Sequence, residues 1–568
     1  MGYLLQILLA LGAIGLAEGL AGAGPPGRDA EIPGLLGPLG ALSLAIWPYA
    51  VAAWTRARGL RGRFRLAAAG QRALDWSAPV LHLLALTLFG WHALVLGWTG
   101  TSSVLLGWPG PALLLSLLPF ALYQLAAIDA RSRLAGGRPG DADRMRRFQV
   151  RMFLSAVLPL VAFVLLSWSV SVSEVLRVHV EQVALYNTAF AAFLIAVFAL
   201  FLPTLLRNTW ATAPLERGLQ RQVLEIVARA ADFRYRELLV WRTGHLVSNA
   251  VIVGLTPRQR TVLFSDALLD QLDLRQLAAV FAHEIGHARR HHILVFACWT
   301  LGFFLGADAL LTTLEPRSWE LATGLFAALL LAWYAGFGYL SRRFELDADL
   351  HSVEVTGDTE SLVAALERVV GLHARRVTSW RHFSTADRVL FLRAAARDPG
   401  VARRLRRDLR RWIAVGMLLF AAGLAFEVHQ LTASLGVDRV LVDLRLGRYA
   451  SAEGRVAAGV ELEPDLQRLV ERGARLQGAR GAGAGPGTPT PGELEEAAGR
   501  ALAADRPEEA LELLDLAILR GREELRQVAR AIDRALGEEP AAVEELLAEL
   551  GEPWAPRLAA WLEARSAQ

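Results

Sequence analysis

Apolar residues run in long, nearly unbroken blocks up to about residue 433, and polar residues gather in short joints between them. Blocks near twenty residues long match the thickness of a bilayer's hydrocarbon core. They fall at about 3–22, 34–54, 78–98, 105–128, 152–170, 188–206, 293–313, 320–340 and 412–433. The first block lacks a basic start and a small-residue cleavage site, so it reads as a retained anchor rather than a signal peptide. Two stretches break the pattern. Residues 207–292 and 341–411 mix polar and apolar positions at the shorter periods of a water-facing domain.

Beyond residue 433 the apolar runs shorten and acids appear. A Gly/Pro-rich piece at 478–492 reads as a linker. From Glu493 onward, Leu494, Leu511, Leu513 and Leu514 follow helical spacing, with breaks at Asp505-Arg506-Pro507 and at Gly521. The expectation is a small stack of antiparallel helices that binds a protein partner. The fold class predicted is mainly α: a polytopic α-helical membrane protein with one folded domain between its spans and a soluble helical tail. The divisions expected are 1–206, a multi-span region; 207–411, the folded domain with two inserted membrane helices at about 293–340; 412–433, the last span; and 434–568, the tail.

Arginines between the blocks set an orientation, because basic short loops stay in the cytoplasm. Arg56, Arg58, Arg61, Arg63, Arg65 and Arg72 follow the second block, and Arg144, Arg146, Arg147 and Arg151 are among those that follow the fourth, whereas 99–104 and 171–187 are nearly free of basic residues. That alternation predicts a cytoplasmic amino terminus and places both 207–292 and 341–411 in the cytoplasm. The tail then falls on the opposite side. An apolar content of 54% supports the membrane assignment, and the formal charge of +4 comes largely from these joints, which excludes a nucleic-acid-binding stripe. Cys298 stands alone, so neither a disulfide framework nor a thiolate metal site is available. No phosphate-binding glycine loop is present.

Chemistry concentrates in His283-Glu284-Ile285-Gly286-His287. Residues i and i+4 lie above one another on one helical face, so His283 and His287 can hold one zinc ion. Glu284 stands beside them as the general base for an attacking water. The apolar run Leu277–Ala282 before the motif predicts that it sits inside a buried helix. A catalytic zinc needs a third protein ligand. The metzincin spacing would require a histidine at Ile293, and that option fails. In Ser341-Arg342-Arg343-Phe344-Glu345-Leu346-Asp347-Ala348-Asp349, Glu345 and Asp349 again share a helical face. Glu345 is the candidate ligand, and Asp349 could receive the free N–H of a zinc-bound histidine. The plainer reading is that these acids pair with Arg342 and Arg343. His291 and His292 read as supporting or surface groups.

These segments resemble the membrane zinc metalloproteases of metallopeptidase family 48, which includes the CAAX prenyl protease and the bacterial heat-shock membrane protease. HEIGHARRHH is similar to the family's motif helix, down to His292 nine residues after the first ligand, and SRRFELDAD is similar to its third-ligand segment. Ser248–Gly254 and Thr261–Ser265, read as two strands joined by a turn at Thr256-Pro257, look like its substrate-binding edge hairpin. The resemblance implies a zincin-like fold and backbone contacts from Asn249 to substrate. It also implies substrate contacts from His382 and Arg388, although Phe383 stands where the family has proline. It covers about 210–395.

The expected protein is a zinc metalloendopeptidase of a bacterial inner membrane, carrying one zinc ion and acting from the cytoplasmic side. Its partners would be the lipid bilayer and membrane-associated protein or peptide substrates, for quality control or processing. Two alternatives stand beside it. One is a sensor-transducer whose tail binds a signal while the protease cleaves a cytoplasmic regulator; the other is an inactive membrane scaffold.

Overall fold

The computed structural model describes residues 3–22, 36–101, 103–104, 110–135, 140–314, 318–370, 383–481, 488–537, 547, 550 and 553–566. The chain divides into two compact units, Met1–Ser169 with Leu194–Glu427, and Val170–Phe193 with Val428–Gln568.

Six helices among the described residues are long and apolar enough to cross a membrane: Pro111–Leu134, Asp141–Ser171, Ala184–Thr209, His292–Leu314, Gly324–Thr356 and Pro399–Arg445. The three apolar blocks nearest the amino terminus behave differently. The first forms the helix Tyr3–Gly22, in which the apolar stretch is only Leu5–Gly19, shorter than the run that a bilayer span needs. The second is interrupted: Leu36–Ser43 passes through a 3-10 turn at Leu44–Ile46 into Trp47–Leu60. Pro48 sits in the first turn of that last helix, where its missing N–H costs nothing, whereas further inside a helix it would break the ladder. The third becomes Phe64–Thr87 and Trp91–Thr99, bent by 63° where Gly90 adopts a left-handed conformation. Tyr123, Leu81, Trp91 and Val95 are among the residues that close the core of this bundle.

The folded domain contains a four-stranded sheet in the order β1-β2-β4-β3. Its strands are β1 (Thr212–Pro214), β2 (Glu237–Trp241), β3 (Ala250–Val253) and β4 (Thr261–Ser265). β2 and β4 run parallel with Leu239 opposite Leu263, and β3 pairs antiparallel to β4 with Ala250 opposite Phe264. The hairpin read from the sequence is therefore present, and β3 is an edge. β1 and β2 carried no comparable signal, because their partners lie in a different part of the chain.

Both faces of the sheet are covered, and the period-two alternation of strands explains how. Leu238, Val262 and Phe264 point to one face and pack with Leu277, Phe281 and Ile285. Phe281 meets Phe264 and Phe233 edge-on, with centroids 5.5 and 6.2 Å apart. Burying such a ring stabilises the fold by about 1.5–3 kcal/mol. Leu239, Trp241 and Leu263 point the other way, onto Phe148, Met152, Leu206 and Trp210, where two membrane helices end. The sheet is thus fastened directly to the spans.

The helix Trp319–Thr356 is 38 residues long. At 1.5 Å per residue it extends about 57 Å, well beyond a hydrocarbon core of about 30 Å. Its second half therefore leaves the apolar region as rigid helix and carries Glu345 and Asp349 into the folded domain.

In the second unit, Pro491–Ala503 and Pro507–Leu519 form a helical pair. The turn between them holds Asp505 at φ 54°, and Leu494, Leu513, Leu514 and Tyr449 are buried in one core. The short helix Glu174–Gln182 belongs to this unit: Val178 and Val183 pack on Val442, and Arg445 lies 3.1 Å from Glu181. The expected linker is partly helical. Pro464–Gly481 runs into it, and Thr490 caps the next helix through a reciprocal bond with Glu493.

Candidate active site

The motif helix, Leu274–Arg289, starts from a capping box in which Asp273 accepts from the N–H groups of Arg275 and Gln276, each at 2.9 Å. It ends where His291 takes φ 53°, which turns the chain into the next helix. The helix Trp319–Thr356 crosses it closely. Ser352 donates to the carbonyl of Ala279 at 2.7 Å, and a Cβ on Gly286 would stand 3.0 Å from Ala348 Cα. Gly286 is therefore the contact that lets the two helices approach. Gly286→Ala should separate them, cost about 1–3 kcal/mol and weaken metal binding, read by thermal unfolding and metal titration. An unchanged metal affinity would show that the approach is unimportant.

This crossing brings the three candidate ligands together. His283 Nε2 lies 3.3 Å from His287 Nε2 and 3.8 Å from Glu345 Oε2, and His287 Nε2 lies 3.7 Å from Glu345 Oε1. All three donor atoms fall within 4.8 Å of one another. With bonds of about 2.0–2.2 Å, donors around a tetrahedral ion stand about 3.3–3.6 Å apart. Two imidazoles and a carboxylate at these separations fit a zinc-sized ion.

A carboxylate stands behind each histidine, directly for His283 and through His292 for His287. Asp349 Oδ1 lies 2.9 Å from His283 Nδ1. His287 Nδ1 faces His292 Nδ1 at 2.9 Å, and His292 Nε2 lies 3.4 Å from Asp347. Asp349 is wholly buried and accepts from Nε and Nη2 of Arg388, at 2.8 and 2.5 Å, while Nη1 of Arg388 reaches Glu345 at 3.3 Å. Arg388, expected to touch substrate, ties Asp349 to Glu345. It still lines the cavity described below. The two ligand-segment acids are thus not simply paired with Arg342 and Arg343.

Burial pushes the carboxyl of Glu284 up to about 7, although the neighbouring His283 and Arg388 charges work the other way. Burial and the adjacent His283 push His287 down to about 3, so it offers a neutral imidazole at any ordinary pH. For His283 the penalty of burial is outweighed by Asp349, and its pKa is raised. Arg388 is held firmly charged because its two acids overcome its burial.

A cavity of about 280 Å³ opens on this group, lined by Asn249, His283, Glu284, Glu345 and Arg388 together with apolar side chains. Asn249 stands just before edge strand β3, where its N–H bonds to Ser265 Oγ at 2.9 Å. His382 lies outside the described residues. Asp347 and Gly286 complete the geometry without having been singled out as contributors, and His292, read as a supporting or surface group, lies against His287. The spacing of His292 was visible, but its contact with His287 depends on the turn at His291.

The loop between β2 and β3 is latched by Asp266, which accepts from Thr243 Oγ1 at 2.5 Å and from the Gly244, Ala267 and His245 N–H groups. Burial works to raise this carboxyl, but the donated bonds outweigh it and hold its pKa below the usual range. A depressed pKa gives stability that is present above the unfolded value and lost as pH falls through the folded one. Asp266→Asn should therefore lower the unfolding temperature by a constant amount at neutral pH, and the gap should close below about pH 4. A gap that persists in acid would show that its charge is not what holds the loop.

An H-E-x-x-H helix and an acid-bearing helix meet over a small sheet in a polytopic chain, the arrangement with which the comparisons below agree. Residues 214–413 match the model of Peptidase family M48. The chain is 27% identical over 179 residues to "Protease HtpX homolog" of Methylacidiphilum infernorum, covering 27% of this chain and 56% of that protein. It is 29% identical over 171 residues to "Protease HtpX homolog 1" of Streptomyces coelicolor, covering 27% and 55%. The chain spans about half the length of the curated relatives it matches. The crystal structure of S. mikatae Ste24p aligns over 62% of this chain and 97% of that one, at 16% identity and a TM-score of 0.36.

Proposed function

We propose that this protein is a zinc-dependent endopeptidase that cleaves membrane-associated proteins or peptides in quality control or processing. The observation that carries the reading is the convergence of His283, His287 and Glu345 within 4.8 Å beside Glu284, in a cavity bordered by an edge strand. A peptide would add to β3 as a further strand, with Asn249 bonding its backbone and the scissile carbonyl set over the cavity. Zinc held by the two histidines and Glu345 would supply a Lewis acid for the carbonyl oxygen and acidify the attacking water. Glu284 accepts that water's proton and returns it to the leaving nitrogen, a task suited to a carboxyl near neutrality. Asp349 and the His292–Asp347 pair orient the two imidazoles.

The compartment proposed is the cytoplasmic face of a bacterial inner membrane, from the arginine alternation. The packing of Glu174–Gln182 within the same unit as the tail agrees with the order of spans in that topology, which puts both on one side. Membrane substrates follow from proximity, because the sheet rests on the ends of two spans. The test is zinc content and cleavage of an unfolded membrane protein by the detergent-purified chain, before and after chelation. Near-stoichiometric zinc, with activity lost on chelation and restored by zinc, supports the reading. Cleavage that persists without metal overturns it.

A further inference from the structure

On the far side of the sheet from the proposed metal centre lies a second cavity of about 460 Å³. One wall is the first turns of the membrane helix Asp141–Ser171, which contribute Arg144, Arg147 and Arg151. The opposite wall is the end of β2, with Trp241 and Arg242, and Trp210, which directly follows the membrane helix Ala184–Thr209. Trp210 and Trp241 stack at 4.2 Å, 16° from parallel, and form the cavity's aromatic wall.

We propose that this cavity binds the phosphate-bearing headgroup of an anionic phospholipid. Its depth in the membrane is set by the chain itself: Arg151 ends the polar part of one span, and Trp210 follows the last turn of another. Tryptophan and arginine at such positions sit at the level of lipid headgroups. All four arginines are exposed. Arg144 pairs with Asp141, but no carboxylate among the described residues pairs with Arg147, Arg151 or Arg242. Two groups around the cavity point to a guest that brings acceptors and negative charge. Trp210 Nε1 is buried without a hydrogen-bond partner. Asp266 is the one acid on the lining, and its oxygens are engaged by Thr243, Gly244, His245 and Ala267 rather than by the arginines.

Ordinary juxtamembrane arginines attract anionic surfaces diffusely; a cavity with stacked indoles on one side and a converging arginine group selects one molecule. The guanidinium forks suit phosphate oxygens, and the indole faces suit the glycerol and upper acyl carbons. The acyl chains would continue along the two spans.

The test titrates the full-length protein, purified in detergent, with phosphatidylglycerol or phosphatidylcholine and counts bound lipids by native mass spectrometry. The wild type should hold one phosphatidylglycerol about tenfold or more tightly than phosphatidylcholine. The triple variant Arg147→Gln, Arg151→Gln, Arg242→Gln should lose that preference. Arg56→Gln, Arg61→Gln, Arg65→Gln, which removes the same charge from another basic joint, should keep it. Arg147→Glu alone should move in the direction of the first triple variant, and unchanged unfolding temperatures would show that the folds are intact. Equal losses in both triple variants would mean diffuse surface charge and overturn the site. Displacement by inorganic phosphate at concentrations similar to the lipid would assign the cavity to free phosphate instead, and would overturn the lipid.

Discussion

Glu284→Gln is expected to retain metal while losing hydrolysis by at least about 10²–10⁴-fold, the range for removal of a positioned general base. Glutamine keeps the size and much of the hydrogen bonding of the side chain but cannot accept a proton at working pH. The three candidate ligands are untouched, so zinc content should match the wild type. The comparison separates two roles that a ligand substitution would merge. His283→Ala or Glu345→Ala should lose both metal and activity. A Glu284→Gln protein that cleaves as well as wild type would remove Glu284 from the reaction, and one that loses its metal would make it a ligand.

Arg388→Ala should be the most damaging change outside the ligands and the base. Asp349 is wholly buried and accepts from Nε and Nη2 of the guanidinium at 2.8 and 2.5 Å. Removing one partner of such a pair leaves a charge stranded in a poorly polarisable interior, at a cost of about 3–5 kcal/mol. The loss should spread to the metal site, because Asp349 contacts His283 and Arg388 also reaches Glu345. Lysine can keep the charge but cannot span both acids with one planar fork, so Arg388→Lys should recover stability better than metal affinity. Thermal unfolding and metal titration of the two variants check this. If Arg388→Ala unfolds and binds metal as wild type does, Arg388 does not hold the site together and a direct substrate contact becomes its main role.

Much of this protein is legible from local patterns. Long blocks of apolar residues announce membrane helices, as at 188–206, and conceal the 3-10 turn at Leu44–Ile46 and the bend at Gly90, where hydropathy alone treats the run as one straight helix. The hairpin of β3 and β4 is legible because its strands are close in sequence. β2 is not, because its parallel partner β4 is reached only after β3 has intervened, and parallel pairing leaves no local turn signal. His283, Glu284, His287, Glu345 and Asp349 are visible as two i, i+4 pairs, since a helix turns that spacing into a shared face. Asn249 and Arg388 have no such spacing to mark them; a resemblance alone drew attention to them.

By itself, then, the sequence determined where the long apolar helices run and which helical faces carry imidazoles and carboxylates. These properties follow from composition and from the period of the helix, so they are written within a few turns of chain. Only the tertiary structure decided that the two faces meet, 3.3 to 3.8 Å apart at their donor atoms. That distance depends on the absence of a side chain at Gly286, on the bond from Ser352 to Ala279, and on Arg388 arriving from a third helix to neutralise a buried acid. None of these leaves a local trace, because each is a relation between residues distant in the chain whose cost or benefit exists only once the helices are packed.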